Sequence, residues 1–170
     1  MDTFFEQIVR IKKTGKSIAA FVAIWLMALT VCGLAILFSA YLRTIFVFII
    51  AGALYGAYVL SGKLNIEYEY IVTNTTLDVD KIVNKSSRQR MLSVELPTAS
   101  RLEKFTPALL NNIDNKKLVV ASNKDSQNAY FLVCEKEGSG ASYLVFEPNE
   151  KMQSAIVKSL PKFVANSAFK

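Results

Sequence analysis

Two long apolar runs near the start of the chain constrain its fold more than any other feature. They cover residues 18–38 and 44–60, and neither contains a charged side chain. At about 1.5 Å per residue the first run spans roughly 32 Å as a helix and the second roughly 26 Å, against a hydrocarbon core of about 30 Å. Because only residues 39–43 connect the runs, the sequence predicts an antiparallel transmembrane helical hairpin over 18–60.

A soluble helical hairpin and a cleaved signal peptide fit the apolar runs less well. Helices inside a soluble protein normally keep polar residues on their solvent side, and these runs have almost none. A cleaved signal peptide has an apolar region of about 7–15 residues, which the first run exceeds, and a second run follows it directly. We therefore expect both runs to stay in the membrane.

The charges that flank the hairpin predict its orientation. Basic residues precede the first run and follow the second, whereas the connection carries Arg43 alone. They are Arg10, Lys12, Lys13 and Lys16 before the hairpin and Lys63 after it. Because lysine and arginine are enriched on the cytoplasmic side of membrane helices, the sequence predicts a multi-pass protein of the cell (cytoplasmic) membrane with both termini in the cytoplasm.

Small residues predict how the two membrane helices pack. Ala28, Cys32 and Ala35 recur at helical spacing in the first run, and Gly52 and Gly56 form a GxxxG pair in the second. Small residues let helix backbones approach closely inside a bilayer. We expect these residues to pack the hairpin against itself, and the alternative is a homo-oligomer that associates through the glycines.

The N-terminal segment 1–17 is predicted to be an interfacial amphipathic helix. Phe4, Ile8 and Ile11 share one stripe at helical spacing, and the basic residues come last, where they suit anionic headgroups. Such a helix would lie along the inner leaflet. The alternative is that Phe4 and Phe5 dock on the soluble domain.

Beyond a linker at 61–65 the pattern changes to an alternation of apolar and polar residues, which predicts one cytosolic β domain over 66–170. We expect strands at 66–72, 77–83, 90–96, 117–121, 129–135 and 142–147, with a short helix or irregular crossover around 99–105. Met152, Ile156 and Leu160 then recur every four residues after Asn149. This spacing predicts an amphipathic helix that Asn149 caps and that packs on the sheet.

A run of antiparallel strands closed by a C-terminal helix is the element order of a pleckstrin-homology (PH)-like roll. At EYEYIVTNTTLDVDKI, RMLSVEL and NEKMQSAIVKSL the sequence resembles bacterial PH-like domains attached to paired membrane helices. With its MDTFFEQIV opening and the KKTGK before the first span, the whole chain is similar to an uncharacterised family of small bacterial membrane proteins with a domain of unknown function. The resemblance implies an α+β membrane protein, with a two-helix hairpin followed by a small antiparallel PH-like domain. It implies no activity, ligand or functional residues.

The sequence offers little for catalysis. It contains no histidine and no cysteine, serine or lysine beside an evident base. Asp78 and Asp80 match a metal-binding DxD pattern, but strand alternation places both on a solvated face, as it does Glu67 and Glu69. We therefore expect no enzyme activity, catalytic residue, cofactor, metal site or disulfide.

A basic cluster around the second predicted turn is the candidate binding site. It consists of Lys81, Lys85, Arg88 and Arg90. The spacing of the last three resembles the K/R-x-R pattern with which some eukaryotic PH domains hold phosphoinositide headgroups. Clustered cations near an anionic leaflet gain about 1 kcal/mol each. We favour a solvated turn for this cluster over diffuse attraction to anionic lipid headgroups, and diffuse attraction over a specific lipid pocket. No stacking platform accompanies it, and we expect no nucleic acid.

Together these features predict a non-enzymatic integral membrane protein. Its cytosolic PH-like domain would act as a binding or scaffolding module for an unidentified protein partner at the inner membrane surface. The alternative is an accessory subunit of a larger transporter or envelope complex, which the transmembrane hairpin would contact.

Overall fold

The computed structural model describes residues 4–110, 113, 117–123, 126–136 and 140–169. These residues form two compact units. The helical unit is Lys12–Ile66 together with Val83–Ser86, and the β unit contains the remaining described residues.

Three helices make up most of the helical unit. They are α1 (Gly15–Leu37), α2 (Ser39–Leu42) and α3 (Ile45–Gly62). By length and composition α1 and α3 are each able to cross a membrane, which confirms the prediction of two N-terminal apolar helices. The predicted connection contains the short α2, and α3 continues to Gly62 through the start of the predicted linker.

The small residues of α1 lie on the face that contacts α3. Ala28, Cys32 and Ala35 are buried there. The expectation of close backbone packing at Gly52 and Gly56 is wrong for this hairpin, because a Cβ atom added at either glycine would meet nothing within 4 Å. Both glycines instead line an open apolar groove of about 340 Å³ between the two helices.

The β unit has two four-stranded sheets among the described residues. The first sheet has the order β1 (Phe4–Arg10), β2 (Ile66–Thr73), β3 (Thr76–Val83), β4 (Ser87–Glu95). The second has the order β5 (Ala99–Lys104), β7 (Tyr130–Lys136), β8 (Gly140–Phe146), β6 (Leu118–Val120). Helix α4 (Glu150–Ser159) and the short α5 (Lys162–Ala165) follow.

The predicted N-terminal helix over 1–17 is wrong, because residues 4–10 form β1. This strand pairs antiparallel with β2, with Phe5 opposite Val72. Helical spacing and strand alternation coexist in this segment, and the backbone partners that β2 supplies favour the strand. Phe5 packs against the main core of the β unit, whereas Phe4 remains 62% exposed. The alternative prediction, that Phe4 and Phe5 dock on the soluble domain, is therefore correct for Phe5 alone.

The helix or crossover expected around 99–105 is also wrong, because this segment is β5. It pairs antiparallel with β7, and its register shifts between Ala99 and Arg101. The shift places Ala99 and Leu102 on the buried side, which breaks the alternation that would reveal a strand in the sequence. The remaining predicted strands fall on β2, β3, β4, β6, β7 and β8, although β6 pairs parallel with β8.

The main core joins both sheets and α4. Tyr70 of β2 is fully buried, and its phenol donates a hydrogen bond to the carbonyl of Ala121. Its ring meets Phe146 of β8 edge to face at 5.7 Å between centroids. Asn149 caps α4 as predicted, since its Oδ1 accepts from the N–H of Met152 at 2.9 Å.

Candidate functional site

The outward face of the first sheet carries most of the charge that the sequence places on β2, β3 and β4. We call this surface the charged face. It consists of Arg10, Glu67, Glu69, Asp78, Asp80, Arg88 and Arg90. Ion pairs connect neighbouring and more distant strands across it. Arg10 Nε lies 3.0 Å from Glu67 Oε1, and Arg88 Nη2 lies 3.0 Å from Glu69 Oε1.

The prediction that these carboxylates lie on a solvated strand face is wrong at two positions. Glu69 is fully buried, and Asp80 is only 3% exposed. Arg88 and Arg90, both from β4, bond these two carboxylates. Alternation shows only which face a side chain occupies, and it does not show that long arginine side chains cover that face.

Arg90 binds two carboxylates at once. Its Nη1 lies 2.8 Å from Asp78 Oδ2, and its Nε donates to Asp80. The hydrogen bond to Asp80 raises the pKa of Arg90 further above neutral pH. The predicted DxD pair is therefore bound to an arginine of its own sheet.

Burial raises the pKa of Glu69. Its neighbours Glu6 and Asp80 raise that pKa as well, and the charge of Arg88 lowers it. The side chain of Glu6 is within hydrogen-bonding reach of this carboxyl, and two carboxyl groups share a hydrogen bond only when one of them is protonated. Burial and nearby negative charge thus both favour the protonated form of Glu69.

The four basic residues of the predicted lipid cluster fall in different surroundings. Arg88 and Arg90 are paired with carboxylates, and Lys81 is half-buried on β3. Lys85 is exposed in the turn between β3 and β4. The structure does not bring the four into one open cluster, because two of the charges are balanced within the sheet.

The turn that carries Lys85 belongs to the helical unit. Asn84 and Lys85 have positive φ angles of 52° and 56°, a conformation that a tight hairpin turn requires. The N–H of Asn84 donates to the carbonyl of Asn65 at 2.9 Å, just beyond α3. Lys85 is therefore fixed beside the end of a candidate membrane helix.

A second surface feature was not predicted from the sequence. A groove of about 250 Å³ runs between β5, the edge strand of the second sheet, and α5. Its lining includes Arg101, Glu103 and Phe163. Arg101 and Glu103 form an ion pair, with Arg101 Nη2 at 2.9 Å from Glu103 Oε1. The Phe163 side chain is 68% exposed. The sequence signal for it is the phenylalanine at 163, which follows Pro161 and lies beyond the predicted amphipathic stripe of Met152, Ile156 and Leu160.

Cys134 is poorly placed to act as a nucleophile. Cys134 is buried, and burial raises its pKa to about 12, so it is a neutral thiol at neutral pH. Within the described ranges no three His, Cys, Asp or Glu side chains are grouped to hold a metal ion.

Two candidate membrane helices and a β unit closed by a C-terminal helix define a membrane protein with a PH-like α+β domain. Its residues 1–166 match the model of a family described as Bacterial PH-like domain (DUF6106). The chain belongs to this family, which confirms the predicted resemblance and fold class. Comparison with curated proteins and with solved structures gave no match.

Proposed function

We propose that this chain is a non-enzymatic protein of the cell membrane whose PH-like domain docks a protein partner at the cytoplasmic surface. The lysines before α1 and after α3, against Arg43 alone near α2, support cytoplasmic termini. The β unit would then lie on the cytoplasmic side of the membrane.

The groove between β5 and α5 is the observation that carries the docking proposal. An edge strand presents backbone N–H and C=O groups that an extended segment of another protein can pair with. Phe163 adds an exposed aromatic anchor beside this edge. Aromatic anchors next to backbone pairing are typical of binding surfaces for short peptide segments.

The charge pattern of the rim indicates the chemistry of the partner. Arg101 and Glu103 lie at the groove with both signs of charge, and their side chains are 57% and 35% exposed. A partner segment with an apolar residue for Phe163 and polar flanks would suit this surface. The internally paired Arg88 and Arg90 make the β unit less suited to hold a phosphorylated headgroup.

Site-specific photo-crosslinking in native membranes tests the docking proposal. A photoreactive phenylalanine analogue at Phe163 should give a discrete protein adduct, and the same analogue at Lys158, exposed on α4, should not. Exchange of the rim charges, Arg101→Glu with Glu103→Arg, keeps an internal ion pair but reverses the charge at each position, and it should weaken the adduct. Equal adducts from both sites, or an adduct that the exchange leaves unchanged, would contradict docking in the groove.

A second candidate function is that of an accessory subunit in a larger transporter or envelope complex. The open space at Gly52 and Gly56 favours it, since exposed small residues allow close approach of another membrane helix. Replacement of both glycines by leucine should leave the hairpin folded and release a co-purifying membrane complex. If the complex survives this change, the glycine face is not its contact.

A further inference from the structure

The helical unit has an unbalanced charge. All its lysines lie beside one end of the hairpin or in the β3–β4 turn, and Lys12–Ile66 and Val83–Ser86 contain no aspartate or glutamate. The β unit differs, because its Arg10, Arg88 and Arg90 are each paired with a carboxylate. The helical unit thus carries positive charge and no negative side chain of its own.

The structure places these lysines at one level of the hairpin. Because α1 and α3 are antiparallel neighbours, the start of α1 and the end of α3 lie at the same end, and Leu60 lines the same groove as Ala23. Lys16 is in the first turn of α1, and Lys63 caps α3. The ammonium of Lys13 lies 5.4 Å from the ring centroid of Phe21 in α1.

The β3–β4 turn adds a fourth lysine from far along the chain. The bond from Asn84 to Asn65 holds this turn beside the end of α3. Lys85 follows Asn84 and is exposed. We call Lys13, Lys16, Lys63 and Lys85, all exposed, the lysine collar.

We propose that the lysine collar is a binding site for anionic phospholipid headgroups in the leaflet that surrounds the start of α1. Ammonium groups at the level of the headgroups attract lipid phosphate, and this unit has no carboxylate to compete for them. The inference rests on membrane insertion of the hairpin and is independent of the docking groove. It assigns lipid recognition to the helix ends and the turn, away from the arginines of the charged face.

Lipid enrichment around the full chain tests the collar. The protein is reconstituted in nanodiscs of equimolar phosphatidylglycerol and phosphatidylcholine, and the lipids that remain bound after extraction are counted by native mass spectrometry. The parent should enrich phosphatidylglycerol. The variant Lys13→Gln, Lys16→Gln, Lys63→Gln, Lys85→Asn should lose that enrichment, and Asn at position 85 tolerates the positive φ. In the single Lys85→Asn variant the enrichment of phosphatidylglycerol should fall about fivefold at low ionic strength, which is the equivalent of about 1 kcal/mol.

A matched variant removes the same charge from the β unit. It carries Lys104→Gln, Lys151→Gln, Lys158→Gln and Lys162→Gln, all at exposed positions, and it should retain the enrichment. An equal loss in this control, or no enrichment by the parent, would overturn the proposal. Displacement of the lipid by inorganic phosphate at equal ionic strength would mean that the collar binds free phosphate. That result would also overturn the proposal.

Discussion

The carboxamide of Asn84 lies directly against Gly62, so that a Cβ atom at Gly62 would be 2.9 Å from Asn84 Cγ. Gly62 ends α3, and Asn84 lies in the β3–β4 turn with a φ of 52°. The fit thus depends on a missing side chain at one residue and a left-handed backbone at the other. It explains why this turn groups with the membrane helices in the structure.

Replacement of Gly62 by alanine should loosen the turn from the end of α3. The new methyl group must displace the carboxamide of Asn84, which is the movable end of an exposed side chain, so we expect a cost of at most about 1 kcal/mol, the low end of the range for overpacking. Hydrogen exchange at the Asn84 amide, which donates to Asn65 in the parent, should become faster. Gly33→Ala is the control, because its Cβ would meet nothing within 4 Å.

A second substitution shows whether the effect arises from the contact itself. Asn84→Gly removes the carboxamide and tolerates the positive φ. In that background Gly62→Ala should have little further effect on exchange. Additive effects of the two substitutions would mean that they act through separate causes.

Removal of the Arg90 side chain should destabilise the β unit. Arg90→Met leaves Asp80, whose side chain is 4% exposed, without its cation. We expect a loss of about 1–3 kcal/mol in the free energy of unfolding, less than for a fully buried pair because the Arg90 side chain is half exposed. Addition of Asp80→Asn should recover part of the loss in chemical denaturation.

Arg101→Met supplies the comparison for this prediction. Its partner Glu103 is 35% exposed, so the loss of this ion pair should cost at most about 1 kcal/mol. Equal losses for Arg90→Met and Arg101→Met would mean that Asp80 is solvated in the folded chain.

Glu69 should make the stability of the β unit depend on pH. Burial, then Glu6 and Asp80, raise its pKa above the ordinary value of 4.5, although Arg88 lowers it. A carboxyl group with a raised folded pKa stabilises most below its unfolded pKa, and this stabilisation is lost as the pH rises through the folded pKa. The free energy of unfolding of Glu69→Gln, relative to the parent, should therefore increase as the pH is raised from 4.5.

The Arg88→Met variant sharpens the test of Glu69. Without the cation that lowers its pKa, Glu69 should keep its proton to higher pH, and the loss of stability should move upward accordingly. Denaturant titrations across the acidic and neutral range measure both effects. A difference between Glu69→Gln and the parent that does not change with pH would contradict the assigned shift.

The sequence predicted the elements whose periodicity is local. The membrane helices and the Asn149 cap of α4 depend on neighbouring residues and could be recognised in this way. β1 could not, because its partner β2 lies beyond the whole hairpin and the segment also fits helical spacing. Likewise, charge spacing grouped Lys85 with Arg88 and Arg90, whereas only the folded chain shows those arginines paired with distant carboxylates.

Cysteine labelling of intact cells should establish the orientation of the hairpin. The native Cys32 and Cys134 are both buried, and burial raises the pKa of Cys134 to about 12, so neither should react with an impermeant maleimide. A cysteine at Tyr41, which is 87% exposed in α2, should be labelled from outside because we propose that the lysine-rich opposite end of the hairpin lies in the cytoplasm. A cysteine at the exposed Asn166 should be labelled only after the membrane is permeabilised. Labelling of position 166 in sealed cells would place the β unit outside and would remove the basis for docking at the cytoplasmic surface.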